Sequence, residues 1–540
     1  MINGTPTLRQ LLICIIFVSI YILSWDEQKL LQTLRDVSFS DINLQVQHAT
    51  PQDSSSSIKI QNAPLPSPAD GPIATVAYAI SITKCISKSN PFDTAAVLKR
   101  SIELNSWPKH ATSRYAAKFY AFVQTADASK YHHRSDRCGE LLSLAGWTTI
   151  PKEETIHVDE IQKPPGSILK SEIGGDGCCG PLEYIKLETY KLPHEIAVHL
   201  DIDTLMTNPF DELYNVMHFP PDTEEGQRAR KELVNVVAPT YLNRRVRGHP
   251  SKGRNVSVER AEDLLSNITV DAFYTKDYNM VRPHKGHHEH VGVQGGFLVV
   301  RTSESTYQKL RDMIYSGEYY GGHDGKTEGW YKSGYGKHIW GSMTIQGLMG
   351  HYFDHVELEH SVELNRCRYN NIADNARISG YSTNPKFPRG TLIAQARNES
   401  DPRYNYEDAA CRDGRRNCDD VDCQRFPIEK TRMVHYTYCK QPKTCIDCNF
   451  METYKEVACY AFIKEWFRVR STITGEDIPQ MKDDAFRTRI QMMKEDGTVD
   501  VHQGNCYKEY TMGYCRGSGK YLSMRITNTS LLPDYYIVKK

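Results

Sequence analysis

The chain has 540 residues, and its 66 lysine and arginine residues balance its 66 aspartate and glutamate residues, so the formal net charge at pH 7 is zero. A neutral chain has no overall field that would favour a nucleic acid or another acidic polymer as partner. The length is sufficient for one large α/β domain with extensions, or for two to three domains.

A segment without charge lies near the N-terminus, over residues 11–25, after Arg9 and before an acidic pair. As a helix it would span about 22 Å, less than the ~30 Å of a bilayer core, and it also fits the apolar part of a signal peptide. No small-residue cleavage site follows Leu23, which favours an uncleaved signal-anchor. We therefore expect residues 1–10 in the cytosol, a single-pass type II anchor at 11–25 and a lumenal remainder.

Cysteines are concentrated towards the C-terminus. Fourteen of the fifteen follow the apolar segment, and nine of them lie beyond residue 410. This density is typical of an oxidising lumen with several disulfides. A zinc module is the alternative, since Cys445 and Cys448 have ligand-like spacing and Cys418 and Cys423 lie upstream. Four N-glycosylation sequons also follow the anchor, at Asn255, Asn267, Asn398 and Asn528.

Beyond the anchor, residues 26–72 are polar and rich in serine and proline, which predicts a flexible stem. Apolar runs and helical patterns then alternate along the chain. Strands are predicted over 73–82, 115–123, 146–150 and 195–200, and helices over 93–102, 136–144 and 183–190. Such alternation predicts an α/β fold with a mostly parallel sheet and flanking helices.

Two carboxylates, Asp201 and Asp203, follow the fourth of these strands. Open α/β sheets bind ligands at the carboxyl ends of their strands. Two hard oxygen ligands at this position could hold a divalent cation, which would neutralise a diphosphate. Because an isolated Asp-x-Asp is frequent by chance, its meaning depends on the rest of the chain.

The later part of the chain is predicted to complete this domain. Residues 220–290 are polar and predict an insertion that covers one side of the site. A further strand is predicted over 292–301, with a helix over 305–313. Glycines near the start of that strand permit a close approach to a ligand, although a bulge or turn needs glycine equally. Residues 451–540 predict an α+β extension with its own cysteines.

Three blocks in order give the chain a resemblance to a known family. Tyr184–Leu187 precedes Val198–Met206, and Asn208–Leu213 follows directly. This succession resembles the glycosyltransferases of family 8, relatives of glycogenin and of bacterial α-galactosyltransferases, over about residues 73–450. The resemblance implies a GT-A fold and a location in the Golgi membrane. It also implies retaining transfer of a sugar from a UDP-sugar to a hydroxyl of a glycan, glycoprotein or other acceptor.

The resemblance also implies a metal site. Met433–Thr437 resembles the histidine segment of the family, so Asp201, Asp203 and His435 would hold Mn²⁺. This ion accepts carboxylate oxygens together with an imidazole. Lys186, in the lysine-bearing block, is expected to bind the donor. In the altered lysine-proline segment after the histidine, Lys440 and Lys443 stand on either side of Pro442; either could meet the diphosphate, and Lys440 is preferred.

Further donor contacts follow from the same resemblance. The set expected to bind the donor is Tyr78 and Ala79 at the uracil, Gln294, Gly295 and Gly296 on the later strand, Asp277 near the sugar, and Gln346 near the reacting carbon. A solvated loop is the alternative for Asp277. No carboxylate near Gln346 offers itself as a nucleophile, so we expect front-face attack.

Two departures from the family pattern concern the sugar. Ile345 stands where the family has an aspartate, and Gln294 stands where it has an asparagine. Both leave the donor sugar open. They also support an alternative function, a catalytically inactive GT-A protein that acts as a lumenal binding or scaffold protein.

Overall fold

The computed structural model describes residues 71–83, 91–125, 135–247, 256–281, 290–321, 327–376, 421–439 and 454–475, together with 411, 413, 442, 514 and 521–524. All of them belong to one compact unit. The predicted tail, signal-anchor and nearly all of the stem lie outside the described residues. Of the helices that are described, none is long and apolar enough to cross a membrane.

A central sheet of seven strands organises the fold. In chain order the described strands are β1 Ala74–Ile82, β2 Tyr115–Gln124, β3 Thr148–Lys152, β4 Ile196–Leu200, β5 Thr204–Met206, β6 Ala272–Lys276, β7 Val293–Arg301, β8 Tyr319–Tyr320, β9 Gly329–Trp330, β10 Ser361–Glu363 and β11 Met433–His435. The sheet has the order β10-β6-β7-β4-β1-β2-β3. Two-stranded ribbons, β5 with β11 and β8 with β9, lie apart from it.

Helices flank the sheet and connect its strands. The described α-helices are α1 Phe92–Leu104, α2 Ser135–Leu144, α3 Leu169–Glu172, α4 Asp211–His218, α5 Glu224–Leu233, α6 Pro239–Arg247, α7 Val258–Leu265, α8 Glu304–Tyr315, α9 Ile345–His351, α10 Arg366–Tyr369 and α11 Tyr454–Thr474. Local chemistry sets where several begin. Thr223, Ser257 and Ser303 each precede a helix and accept a hydrogen bond from the backbone N–H three residues later.

The predicted α/β architecture is confirmed. Strands β1, β2, β3 and β4 pair in parallel, as does β10 with β6, whereas β7 runs antiparallel between β4 and β6. Alternate side chains of β1 enter different cores: Val76, Tyr78 and Ile80 join one buried cluster, and Ala77 and Ala79 join the other. Both faces of the sheet are therefore covered, which parallel strands require.

Two elements differ from the sequence prediction. The segment predicted as a helix over 183–190 is a 3-10 helix over Gly180–Lys191. The supposed insertion at 220–290 contributes β6 to the sheet, and every residue of β6 is buried. Thr275 and Lys276 made this strand look like a loop. Their polar groups are satisfied inside the protein, where Lys276 Nζ donates to Asp354 Oδ2 at 2.6 Å.

The C-terminal region shares a core with the sheet domain. Phe462, Trp466 and Phe467 of α11 belong to the same buried cluster as strand β1. Asp93 of α1 accepts hydrogen bonds from the Tyr521 hydroxyl at 2.8 Å and from the backbone N–H of residue 524 at 2.9 Å. The described part of residues 451–540 is thus packed on the domain.

Candidate metal centre

The sheet register places Asp201 at the carboxyl edge of the central strands. Strand β4 lies between β1 and β7, and Ala79 of β1 lies opposite His199. Two residues further along, the backbone N–H of Asp201 donates to the carbonyl of Gly296 at 3.0 Å. The main chain of the first carboxylate is therefore fixed by the neighbouring antiparallel strand.

A ribbon brings the histidine to this edge. Strand β5 follows Asp203 directly and pairs antiparallel with β11, so that Thr204 lies opposite His435. The backbone N–H of Tyr436 donates to the carbonyl of Asp203 at 2.8 Å. Backbone pairing, and not sequence proximity, thus joins the histidine to the carboxylates.

The three side chains converge closely. His435 Nε2 lies 3.3 Å from Asp203 Oδ1 and 3.9 Å from Asp201 Oδ2, and one ligand atom from each residue falls within 4.8 Å of the others. The imidazole is 1% exposed, whereas the carboxylates are 31% and 21% exposed. Buried imidazole and partly open carboxylates leave a face through which a ligand could enter.

These residues fit a divalent cation. Neighbouring ligands of a cation bound at about 2.1 Å lie about 3 Å apart, close to the spacing of His435 and Asp203. Two carboxylates and one imidazole are a donor set that Mn²⁺ accepts. The space beside them is kept clear by Gly296, since a Cβ there would lie 2.5 Å from Asp201 Oδ2 and 2.6 Å from His435 Cε1.

Lys186 places a positive charge next to Asp201. Its Nζ donates to Asp201 Oδ1 at 2.8 Å and to the carbonyl of Gly295 at 3.1 Å. Burial alone would raise the pKa of Asp201, but the charges of Lys186 and His435 outweigh burial and lower this pKa to about 2. Burial likewise opposes a charged His435, yet the adjacent carboxylates raise its pKa above the ordinary value.

A buried polar layer lies behind the metal ligands. The Gln294 amide donates to Asp277 Oδ2 at 3.1 Å, and Gln294 Oε1 accepts from the backbone N–H of Gly296 at 2.6 Å. Burial, reinforced by the charge of Asp374, raises the pKa of Asp277 to about 6. Asp277 is therefore buried and linked through Gln294 to strand β7, and it is not on a solvated loop.

Gln346 hydrogen-bonds to the residue just before its own helix. It is the second residue of α9, and its Oε1 accepts from the Thr344 hydroxyl at 3.2 Å. The same hydroxyl lies 3.0 Å from Glu183 Oε2, one turn of the 3-10 helix before Lys186. Among the described residues, Gln346 forms no hydrogen bond with Asp201, Asp203 or His435, so its predicted role near the reacting carbon stays a prediction.

Ile345, the first residue of α9, packs against Gly295 of strand β7. A Cβ at Gly295 would lie 2.8 Å from Ile345 Cγ2 and 3.5 Å from Lys186 Nζ. The side chain of Ile345 is fully buried. An apolar group therefore stands beside Lys186 at the position where the resemblance would place an aspartate.

Tyr78 and Ala79, which are predicted to contact the uracil, lie inside the core of the sheet. Both residues lie in the middle of β1, at 1% and 0% exposure. The Tyr78 hydroxyl is 2.6 Å from that of Tyr214, within the core. By register, Ser81 is the β1 residue level with Asp201, and its hydroxyl lies 3.2 Å from His199 Nε2. The uracil contact of Tyr78 and Ala79 stays a prediction.

The predictions for Lys440 and the C-terminal cysteines can be compared with the structure only in part. Lys440, Cys418, Cys445 and Cys448 lie outside the described residues. Cys423 forms a disulfide with Cys367, which removes it from any zinc site. A second disulfide joins Cys439 to Cys459. Both bonds agree with the predicted disulfide-rich C-terminal part.

One residue near the metal ligands was missed by the sequence analysis. Asn370 Oδ1 lies 3.1 Å from His435 Nδ1, and both groups are buried. An asparagine far from any motif gives no local signal of such a role, and only the folded arrangement identifies it.

No known protein family matches the sequence, and no curated protein matches it. Among solved structures, apo mouse xyloside xylosyltransferase 1 is 10% identical over 67% of this chain and 97% of its own, with a TM-score of 0.27. The galactosyltransferase LgtC, in complex with donor and acceptor sugar analogues, is 10% identical over 74% and 95%, with a TM-score of 0.28. The bifunctional glycosyltransferase WbbM is 12% identical over 74% and 50%, with a TM-score of 0.28.

Proposed function

We propose that this protein is a metal-dependent glycosyltransferase of the GT-A type, similar to family 8, which transfers a sugar from a UDP-sugar to an acceptor hydroxyl. The observation that carries this proposal is the convergence of Asp201, Asp203 and His435 at the carboxyl edge of β4, beside a glycine whose Cβ would collide with two of them. Open α/β sheets bind nucleotides at such an edge.

Asp201, Asp203 and His435 would hold the cation, with Mn²⁺ as the proposed ion. When bound, the ion would supply positive charge for the departing diphosphate. The chain contributes the rest of the arrangement. Lys186 keeps Asp201 ionised, and Gly296 leaves room beside it for the side chains of Asp201 and His435.

The sugar half of the proposed site rests on other residues. Gln346 would lie beside the reacting carbon, and the buried pair of Asp277 and Gln294 would orient polar groups of the sugar. Because no carboxylate contacts Gln346 among the described residues, we place front-face attack with retained configuration ahead of a covalent intermediate. The donor sugar is not assigned, since Ile345, a buried apolar side chain, stands where the family pattern has a charge.

The proposed location is the Golgi membrane, with the catalytic domain in the lumen and the segment 11–25 as anchor. The disulfides Cys367–Cys423 and Cys439–Cys459 support an oxidising compartment. The acceptor would then be a hydroxyl of a lumenal glycan, glycoprotein or other molecule.

Donor hydrolysis by the purified protein tests this function. A panel of UDP-sugars, with and without Mn²⁺, should contain at least one that is hydrolysed only with the metal and that raises the Tm. Asp203→Ala should lower turnover by about 100-fold or more, because several kcal/mol of charge stabilisation are lost. Asp263→Ala, on an exposed face of α7, is the matched control and should be unchanged.

Two outcomes would count against the proposal. Undiminished Mn²⁺-dependent turnover in the Asp203→Ala protein would remove the metal centre from the reaction. A wild-type protein that neither hydrolyses nor is stabilised by any UDP-sugar with Mn²⁺ would favour the inactive binding or scaffold function instead.

A further inference from the structure

His435 has a partner at each ring nitrogen. Its Nε2 faces the two carboxylates, and its Nδ1 lies 3.1 Å from Asn370 Oδ1. A neutral imidazole carries one N–H and one acceptor nitrogen, so the partner of one nitrogen decides what the other offers. A carboxamide oxygen can only accept, and it therefore requires the proton on Nδ1.

The orientation of Asn370 is itself determined. Its Nδ2 donates to Thr275 Oγ1 at 3.0 Å, which directs the carboxamide oxygen towards His435. Asn370 is 2% exposed and Thr275 is fully buried, so water does not compete for these groups. Thr275 lies on β6, whose backbone is held on both sides by other strands of the sheet.

The backbone next to Asn370 is tied to the strand that carries the histidine. The N–H of Asn371 donates to the carbonyl of Met433 at 2.9 Å, and the N–H of His435 donates to the carbonyl of Asn371 at 2.9 Å. These backbone hydrogen bonds fix the positions of Asn370 and His435 relative to each other. The relay from Thr275 through Asn370 to His435 is continuous from the sheet to the metal ligand.

We propose that Asn370, oriented by Thr275, is a positioning residue that keeps the Nε2 lone pair of His435 directed at the metal ion. This role rests on the proposed function, because it needs the metal centre to exist. A metal-bound histidine commonly donates its other N–H to a carboxylate or carbonyl oxygen, and removal of that partner lowers metal affinity by about 10- to 100-fold.

Binding of Mn²⁺ alone tests this role without any sugar donor. The free-ion signal in electron paramagnetic resonance would be followed while Mn²⁺ is titrated into the full chain. Asn370→Leu should weaken binding by about 10- to 100-fold, since it keeps the branched side-chain skeleton but has no acceptor for the Nδ1 proton. Asn370→Asp should bind close to wild type, because a carboxylate accepts the same proton. Thr275→Val should give a smaller loss in the same direction.

Controls separate this role from a general effect on folding. Asn243→Leu replaces another buried asparagine, on α6, and should leave Mn²⁺ binding unchanged. Equal weakening in Asn370→Leu and Asn370→Asp would overturn the proposal, because Asn370 would then serve only packing. Wild-type affinity in Asn370→Leu would overturn it as well.

The metal centre is checked in the same titration through Asp203→Ala. Loss of binding in that variant together with an unaffected Asn370→Leu protein would overturn the role of Asn370 alone. Equal binding by wild type and Asp203→Ala would instead overturn the metal centre, and with it the role of Asn370.

Discussion

The two carboxylates and the histidine reach the candidate metal centre by different means. Asp201 and Asp203 follow a fully buried strand in the middle of the sheet, so the main fold positions them. His435 lies on a three-residue strand outside that sheet and depends on the β5–β11 ribbon. A local pattern can therefore identify the carboxylates. The histidine branch, meaning His435 and strand β11, depends instead on contacts between distant segments.

The histidine branch is also the one braced by covalent bonds. Cys439, four residues after His435, is joined to Cys459 of α11, and the Tyr436 hydroxyl donates to the carbonyl of Phe462 at 2.7 Å. The segment that carries Asn370 is flanked by the Cys367–Cys423 disulfide. A short ribbon has few hydrogen bonds of its own, and these contacts with α11 compensate for that weakness.

Of the changes considered, removal of the Cys439–Cys459 disulfide should have the largest effect, because it weakens the support of His435 and leaves that of Asp201 and Asp203 in place. The double variant Cys439→Ala with Cys459→Ala should lose about 3 kcal/mol of unfolding free energy, as expected for a loop of this length. Mn²⁺ affinity should fall too, because His435 loses its anchor. Urea unfolding and Mn²⁺ titration measure the two effects, with Ser471→Ala on the same helix as control. Unchanged Mn²⁺ affinity would mean that the ribbon alone holds the histidine.

Gly296→Ala places a methyl group where the side chains of Asp201 and His435 approach each other. The added Cβ would lie 2.5 Å from Asp201 Oδ2 and 2.6 Å from His435 Cε1, so a ligand must shift. Overpacking of this kind costs about 1–3 kcal/mol, which corresponds to about 10- to 100-fold in Mn²⁺ affinity. Gly139→Ala in α2 is the control, because its Cβ would meet nothing within 4 Å. If the two variants bound Mn²⁺ equally, the crowding at residue 296 would have no functional meaning.

Tyr436→Phe should have the smallest effect. It removes one buried hydrogen bond, between the hydroxyl and the Phe462 carbonyl, and keeps the ring in place. Unfolding free energy should fall by about 1 kcal/mol, with little change in Mn²⁺ affinity while the disulfide is intact. The same change in protein without the Cys439–Cys459 bond should weaken Mn²⁺ binding further, and strictly additive effects would show that the two braces act independently.

Prediction from sequence succeeded where strands are apolar and continuous. Strands β1, β2 and β4 and helix α1 were predicted to within about two residues, because buried parallel strands are hydrophobic throughout. Strand β6 was missed, since Thr275 and Lys276 are polar and their partners, Asn370 and Asp354, come much later in the chain. A polar residue can be buried in a strand only when the fold supplies its partner.

The same reason limits what the sequence says about β1. The sequence indicates a buried strand with Tyr78 near its centre, but it does not say which residue is level with Asp201. That level depends on the pairing of β1 with β4, which places Tyr78 opposite Val198, inside the sheet.

The sequence by itself determined the α/β class and the position of Asp201 and Asp203 after a buried strand, because hydrophobic periodicity is a local property. The family resemblance already predicted His435 as the third ligand, but only the tertiary structure decided that β5 and β11 bring it there, that Gly296 leaves room beside Asp201 and His435, and that Asn370 faces the histidine. Each of these depends on hydrogen bonds and close contacts between residues far apart in the chain, which no local pattern records.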